Sequence, residues 1–131
     1  MREFNQEAYD ACDAAAREAV AKKLRSHGYE VIDNGEDYKV DLKTNDGWVH
    51  ELEVRQIWGE VFPYDTIHIP FRKFKVLRDN EKVYFWTLNK ELTKAMVISG
   101  DKVKDHVDLL ANGNMERFFD VPVEDACEVD L

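Results

Sequence analysis

Residues 38–56, YKVDLKTNDGWVHELEVRQ, decide how the chain is read. Two runs alternate in character around the turn residues Asn45, Asp46 and Gly47, as the strands of a hairpin do. In the first run Tyr38, Val40 and Leu42 share one face, and Lys39, Asp41 and Lys43 the other. In the second, His50, Leu52 and Val54 share a face, and Glu51, Glu53 and Arg55 share the opposite one. Matching the apolar faces puts Asp41 on the side of Glu51, Glu53 and Arg55. Residues directly opposite share a face, so the loop has odd length and centres on Asp46 or Gly47. The first centre sets Asp41 opposite Glu51 and the second sets it opposite Glu53. Either way three carboxylates crowd one patch of sheet, an arrangement that is costly unless something positive sits among them.

Outward from the hairpin, the sequence predicts an α/β chain. Residues 5–27 read as a helix, with Ala8, Cys12, Ala16, Val20 and Leu24 recurring every fourth position and Gly28 as its stop. Tyr29 to Ile32 reads as a short strand. After the hairpin, residues 66–69 form an extended piece, and Pro70 is suited to open a helix over residues 71–79. KVYFWTL (82–88) and TKAMVIS (93–99) are buried-strand signals. A short helix is expected from residue 102 to about 110, then a strand within 116–123, and an acidic tail, 124–131, that frays. The expected architecture is a central mixed sheet flanked by helices. The 131 residues fit one domain.

Composition sets limits. No apolar run approaches a membrane span, and the polar start MREFNQEAYDACD is unlike a signal peptide. An intracellular, cytoplasmic protein with no membrane partner is the expectation. Cys12 and Cys127, far apart and outside any CxxC or CxxH spacing, read as two free thiols. A net charge of −9 argues against a nucleic-acid surface. The charge is uneven, however. Residues 72–94 carry seven basic side chains against three acidic ones, whereas residues 115–131 carry six acidic against one basic.

The hairpin suggests a cation site. Mg²⁺ takes hard oxygen ligands, and one or two protein carboxylates suffice when water and phosphate complete the shell. Asp41 with a glutamate of the adjacent strand supplies that set. A nearby cation then stabilises phosphate charge. His50, on the face of Leu52 and Val54, reads as a packed histidine. His68, near Pro70 and Arg72, is placed to approach a substrate, and Trp58 and Tyr64 read as core or rim.

The run from His27-Gly28-Tyr29 through Val40-Asp41-Leu42 to Glu53-Val54-Arg55 resembles the PD-(D/E)XK nuclease superfamily, above all its archaeal Holliday-junction-resolvase-like and phage nuclease-like members. There a helix ending in glycine leads to a strand, then to an Asp on the next strand, then to Glu-x-Lys on the strand after. The resemblance implies a restriction-endonuclease-like three-layer core and Mg²⁺- or Mn²⁺-dependent cleavage of DNA. It also implies Asp41, Glu53 and Glu51 around the metal, and Arg55 or Lys73 on the phosphate. Lys43, Arg72 and Lys75 become substrate contacts, and a homodimer is a further expectation.

Three departures from the pattern stand out. Arg55 occupies the lysine position if Glu53 is the motif glutamate, and arginine cannot act as a base. In the other register Glu51 is the glutamate and Glu53 takes the lysine position, with the lysine reaching in from Lys73 or Lys43. The metal-linked glutamate of the first helix falls at Arg17, with Glu18 one step along. The rival reading is a nuclease-like fold without catalysis that binds nucleic acid or protein. Without the family pattern, the same face reads as solvated charge beside Lys39 and Lys43.

Overall fold

The computed structural model describes residues 6–33, 41–70, 73–106, 109–111 and 117–131. The chain opens with α1 (Gln6–Ser26). Ala16, Val20, Ala21 and Leu24 are buried along one side, as the four-residue spacing predicts. The helix stops where Gly28 takes φ +90°. Tyr29 N–H donates to Leu24 O at 3.2 Å and Gly28 N–H to Arg25 O at 2.9 Å, the paired bonds of a Schellman end.

Three strands follow: β1 (Val31–Asp33), β2 (Leu42–Thr44) and β3 (Val49–Arg55), each antiparallel to the next. The β2–β3 turn is closed by Gly47 at φ +88°. The register sets Leu42 opposite His50 and Lys43 opposite Val49, so the hairpin centres on Asp46. Residues 34–40, with Tyr38, Lys39 and Val40 of the expected first strand, lie outside the described residues.

A crossover then carries β4 (Thr66–Pro70) and α2 (Phe74–Asp79) before β5 (Val83–Asn89), which lies parallel to β3. Parallel neighbours need such a long connection. β6 (Lys94–Ser99), α3 (Gly100–Lys104), β7 (Leu109–Ala111), β8 (Arg117–Pro122), a 3-10 turn (Val123–Asp125) and β9 (Cys127–Asp130) complete the chain. The central mixed sheet has the order β1-β2-β3-β5-β6-β9, and β4-β8-β7 form a second, antiparallel sheet.

Each face of the central sheet carries its own core. On one, α1 packs through Ala16, Val20 and Leu24 on Leu42, Leu52, Trp86 and Leu88. On the other, Val49, Val83, Phe85, Met96 and Ile98 meet Ile67 and Ile69 of β4, Leu77 of α2, Val103 of α3, and Phe119 and Val121 of β8. Burial on both sides explains the unbroken apolar run of β5. Gly100 is needed where α3 crosses β5. A Cβ there would overlap Val83 Cγ1 and meet Leu77 Cδ1 at 3.0 Å.

Three expectations are corrected. Pro70 ends β4 opposite Phe118 instead of opening a helix, and α2 begins at Phe74. Helix α3 stops at Lys104, and Leu109–Ala111 pair with β8 as a strand. The acidic tail does not fray. β9 extends the central sheet beside β6, Leu131 N–H donates to Thr93 O at 2.9 Å, and Val129 and Leu131 pack on the α1-side core. Alternating apolar residues give that strand a half-buried side despite its charge.

Candidate functional site

The hairpin register extended one step past Leu42 and His50 brings Asp41 to Glu51. The two residues interlock. Asp41 N–H donates to Glu51 Oε2 at 3.1 Å, and Leu52 N–H donates to Asp41 Oδ2 at 2.9 Å. Glu51 is 5% exposed, facing β4 and Lys73. A buried carboxylate with another beside it is unstable as an anion. Burial, then the hydrogen bond and charge of Asp41, push Glu51 up to about 8, against the pull of Lys73 and the Asp41 backbone N–H.

The compensating cation is Lys73, immediately before α2. Its Nζ lies 3.8 Å from Asp41 Oδ2 and 3.8 Å from Glu51 Oε1. Glu51, Glu53, His68, Pro70, Lys73 and Thr87 border a narrow cleft of about 10 Å³, room for about one water, between β4 and the central sheet. Glu53 is half-buried at its side and 3.9 Å from Arg55.

Arg55 points along a different route: its Nη2 donates to His68 O at 2.7 Å. It is Lys73, not Arg55, that touches both carboxylates. Lys43 is exposed on β2 and Lys75 is exposed on α2. Arg72 lies outside the described residues. Glu18 is exposed on α1, whose buried side meets the opposite face of the sheet from Glu51, so the expected helix glutamate does not join the pair. Arg17, at the family's expected position, instead pairs with Asp13 one helical turn away.

His50 is a packed histidine, as expected, at 2% exposure. Trp86 Nε1–H donates to its Nδ1 at 3.0 Å, which leaves the proton on Nε2, 3.1 Å from Thr44 Oγ1. Burial holds it down to about 4. His68 is 3.2 Å from Asp120 Oδ1, directly opposite on β8. Asp120 carries no sequence signal, because its partner strand lies far back in the chain.

The donor set suits a hard divalent cation. Asp41 and Glu51 offer adjacent carboxylate oxygens, and a cation there would take the place of the proton that burial favours on Glu51. Among the described residues no group of three or more His, Cys, Asp or Glu is arranged to hold a metal. Two carboxylates with water and phosphate meet the needs of Mg²⁺.

No protein-family model matches the chain, and a search of curated proteins finds no match.

Proposed function

We propose that the chain is a Mg²⁺-dependent phosphodiesterase acting on DNA, built as a restriction-endonuclease-like domain. The observation that carries this reading is Lys73 Nζ at 3.8 Å from both Asp41 and Glu51. The order of elements supports it. A glycine-ended helix leads to β1, the Asp stands immediately before β2 and the glutamate on β3. The register supports Glu51 as the motif glutamate, with Glu53 in the lysine position and the lysine supplied by the segment before α2.

Asp41 and Glu51 would hold the ion, whose chemistry is to neutralise phosphate charge and make bound water acidic. Lys73 then stabilises the negative charge that grows on the phosphate oxygens. Glu53, at the cleft edge, is the carboxylate placed to accept a proton from attacking water. The β4 edge and buried Glu51 restrict bulk water on the inner side, which strengthens each of these interactions.

A second reading, a nuclease-like domain that binds without cutting, draws on Glu53 in place of a lysine and on the net charge of −9. Incubation of labelled linear, flapped and branched DNA with Mg²⁺ or Mn²⁺ separates the two. Cleavage by the wild type that is lost in Asp41→Asn supports the enzyme. Binding without cleavage of any substrate overturns it.

A further inference from the structure

Beside the carboxylate cleft lies a second cavity, of about 270 Å³, between the end of β3 and the loop that leads to β4. Arg55, Ile57, Phe62, Tyr64 and His68 are among its walls. His68 also borders the carboxylate cleft, so the two spaces adjoin. Ile57 is 65% exposed and Tyr64 53% exposed, a large apolar exposure for two neighbouring side chains. Phe62 holds the tyrosine ring edge-on, with centroids 6.0 Å apart, and itself meets Trp58 edge-on at 5.2 Å.

The loop is braced from below. Asn89, 1% exposed, donates from Nδ2 to Gly59 O at 3.1 Å while its Oδ1 accepts from Thr93 N–H and Lys94 N–H at 2.8 and 3.0 Å. Trp58 is fully buried and accepts at its carbonyl from Lys90 N–H at 3.0 Å. Tyr64 and Ile57 are therefore displayed on an anchored frame.

We propose that this cavity is a subsite for one unstacked nucleobase of a DNA strand whose phosphodiester lies at Asp41, Glu51 and Lys73. The inference rests on the phosphodiesterase reading above and names how the substrate is gripped. Three features favour a base over an apolar peptide or a second copy of the chain. The walls combine an exposed aromatic ring with aliphatic surface, which takes the face of any base. Arg55 borders it and carries guanidinium N–H groups beyond the one given to His68 O, suited to ring acceptors and to the adjoining phosphate. The space is also slightly smaller than the roughly 300–1,000 Å³ of pockets for drug-sized ligands. Glu51 and Arg55 are separated by about 13 Å along β3 at the rise of a strand. A chain of a few nucleotides spans that distance.

The test uses the full chain with short single-stranded DNA carrying 2-aminopurine at successive positions, in Ca²⁺ buffer, with Tyr64→Ala and Ile57→Ser as variants. Both residues are exposed, so the fold tolerates the changes. The expected result is a fluorescence rise at one position, as that base leaves its stack. Tyr64→Ala removes the rise and weakens binding about tenfold, the scale of one base–aromatic contact. Tyr64-dependent unstacking without metal-dependent cleavage keeps the subsite and overturns the nuclease reading. Cleavage with no unstacked position, and Tyr64→Ala within about twofold of wild type, far below a stacking contribution, overturns the subsite alone. Self-association that Tyr64→Ala abolishes, with no change in DNA binding, assigns the cavity to a second copy and overturns the proposal. No binding of DNA overturns both readings.

Discussion

The backbone N–H of Asp41 donates to Glu51 Oε2 at 3.1 Å, so one carboxylate is tied to the main chain that carries the other. This contact, with Lys73 3.8 Å from each carboxylate, holds the pair together. It pulls the Glu51 pKa down, but burial outweighs it and sets the sign of a pH effect.

Glu51 is raised from 4.5 to about 8 by burial and by Asp41. Its contribution to stability is therefore fully present below about pH 4.5 and is lost as pH rises toward 8. Glu51→Gln keeps a neutral group of the same shape. Thermal unfolding in EDTA at pH 8 is expected to show this variant melting above wild type, with the difference vanishing near pH 4.5. A variant less stable than wild type at pH 8 would mean that Glu51 is ionised without cost.

His50 acts in the opposite direction. Its value is lowered from 6.5 to about 4 by burial. Its contribution is present above about pH 6.5 and lost as pH falls through 4, because the unfolded chain takes up the proton first. The shift corresponds to about 3 kcal/mol at full extent. Denaturant unfolding from pH 7 to 4 is expected to show this loss in wild type and a flatter profile in His50→Gln. Between pH 4.5 and 6.5 the two groups oppose each other, so the double variant is needed to separate them.

Lys73 and Arg55 are both cations near the site, but only Lys73 contacts both Asp41 and Glu51. Lys73→Met is expected to cut the rate of DNA cleavage about 10²–10³-fold, the scale of one lost charge-stabilising donor. It is expected to leave substrate affinity less affected. Arg55→Met is expected to act mainly on affinity. Steady-state kinetics of the two variants check the split.

Asn89, under the loop that leads to β4, and Gly100, where α3 crosses β5, have sensitivities of their own. Asn89→Ala strips Gly59 O, Thr93 N–H and Lys94 N–H of their side-chain partner and is expected to cost about 2–3 kcal/mol. Gly100→Ala drives a methyl group into Val83 and is expected to cost roughly 1–3 kcal/mol through overpacking. Urea unfolding of each variant checks both values.

Much of the site was legible because it is local. Alternation alone put Asp41, Glu51, Glu53 and Arg55 on one face and His50 on the other. The turn at Gly47 then left two registers, and the observed one is centred on Asp46. The choice between glutamates was not legible, because nothing in the strand distinguishes Glu51 from Glu53 by pattern. Depth distinguishes them, and depth is set by β4 and Lys73, which arrive from the crossover. The same crossover delivers Lys73, which the sequence offered only as one of several cations. Asp120 was hidden for a similar reason, since its position opposite His68 depends on a pairing between distant segments. The last strand was obscured differently. Its charge reads as solvent-facing tail, and only an open edge on β6 turns Val129 and Leu131 into packing residues.

The most direct test of the Asp41–Glu51 centre is a Mn²⁺ binding titration on wild type, Asp41→Asn, Glu51→Gln, Glu53→Gln and Glu18→Ala. A saturable site is expected in wild type that tightens as pH rises, because Glu51 must lose its proton to bind. Asp41→Asn and Glu51→Gln abolish it, whereas Glu53→Gln and Glu18→Ala retain it. Mn²⁺ binding that survives in Asp41→Asn and Glu51→Gln, or that is absent from wild type, contradicts the account.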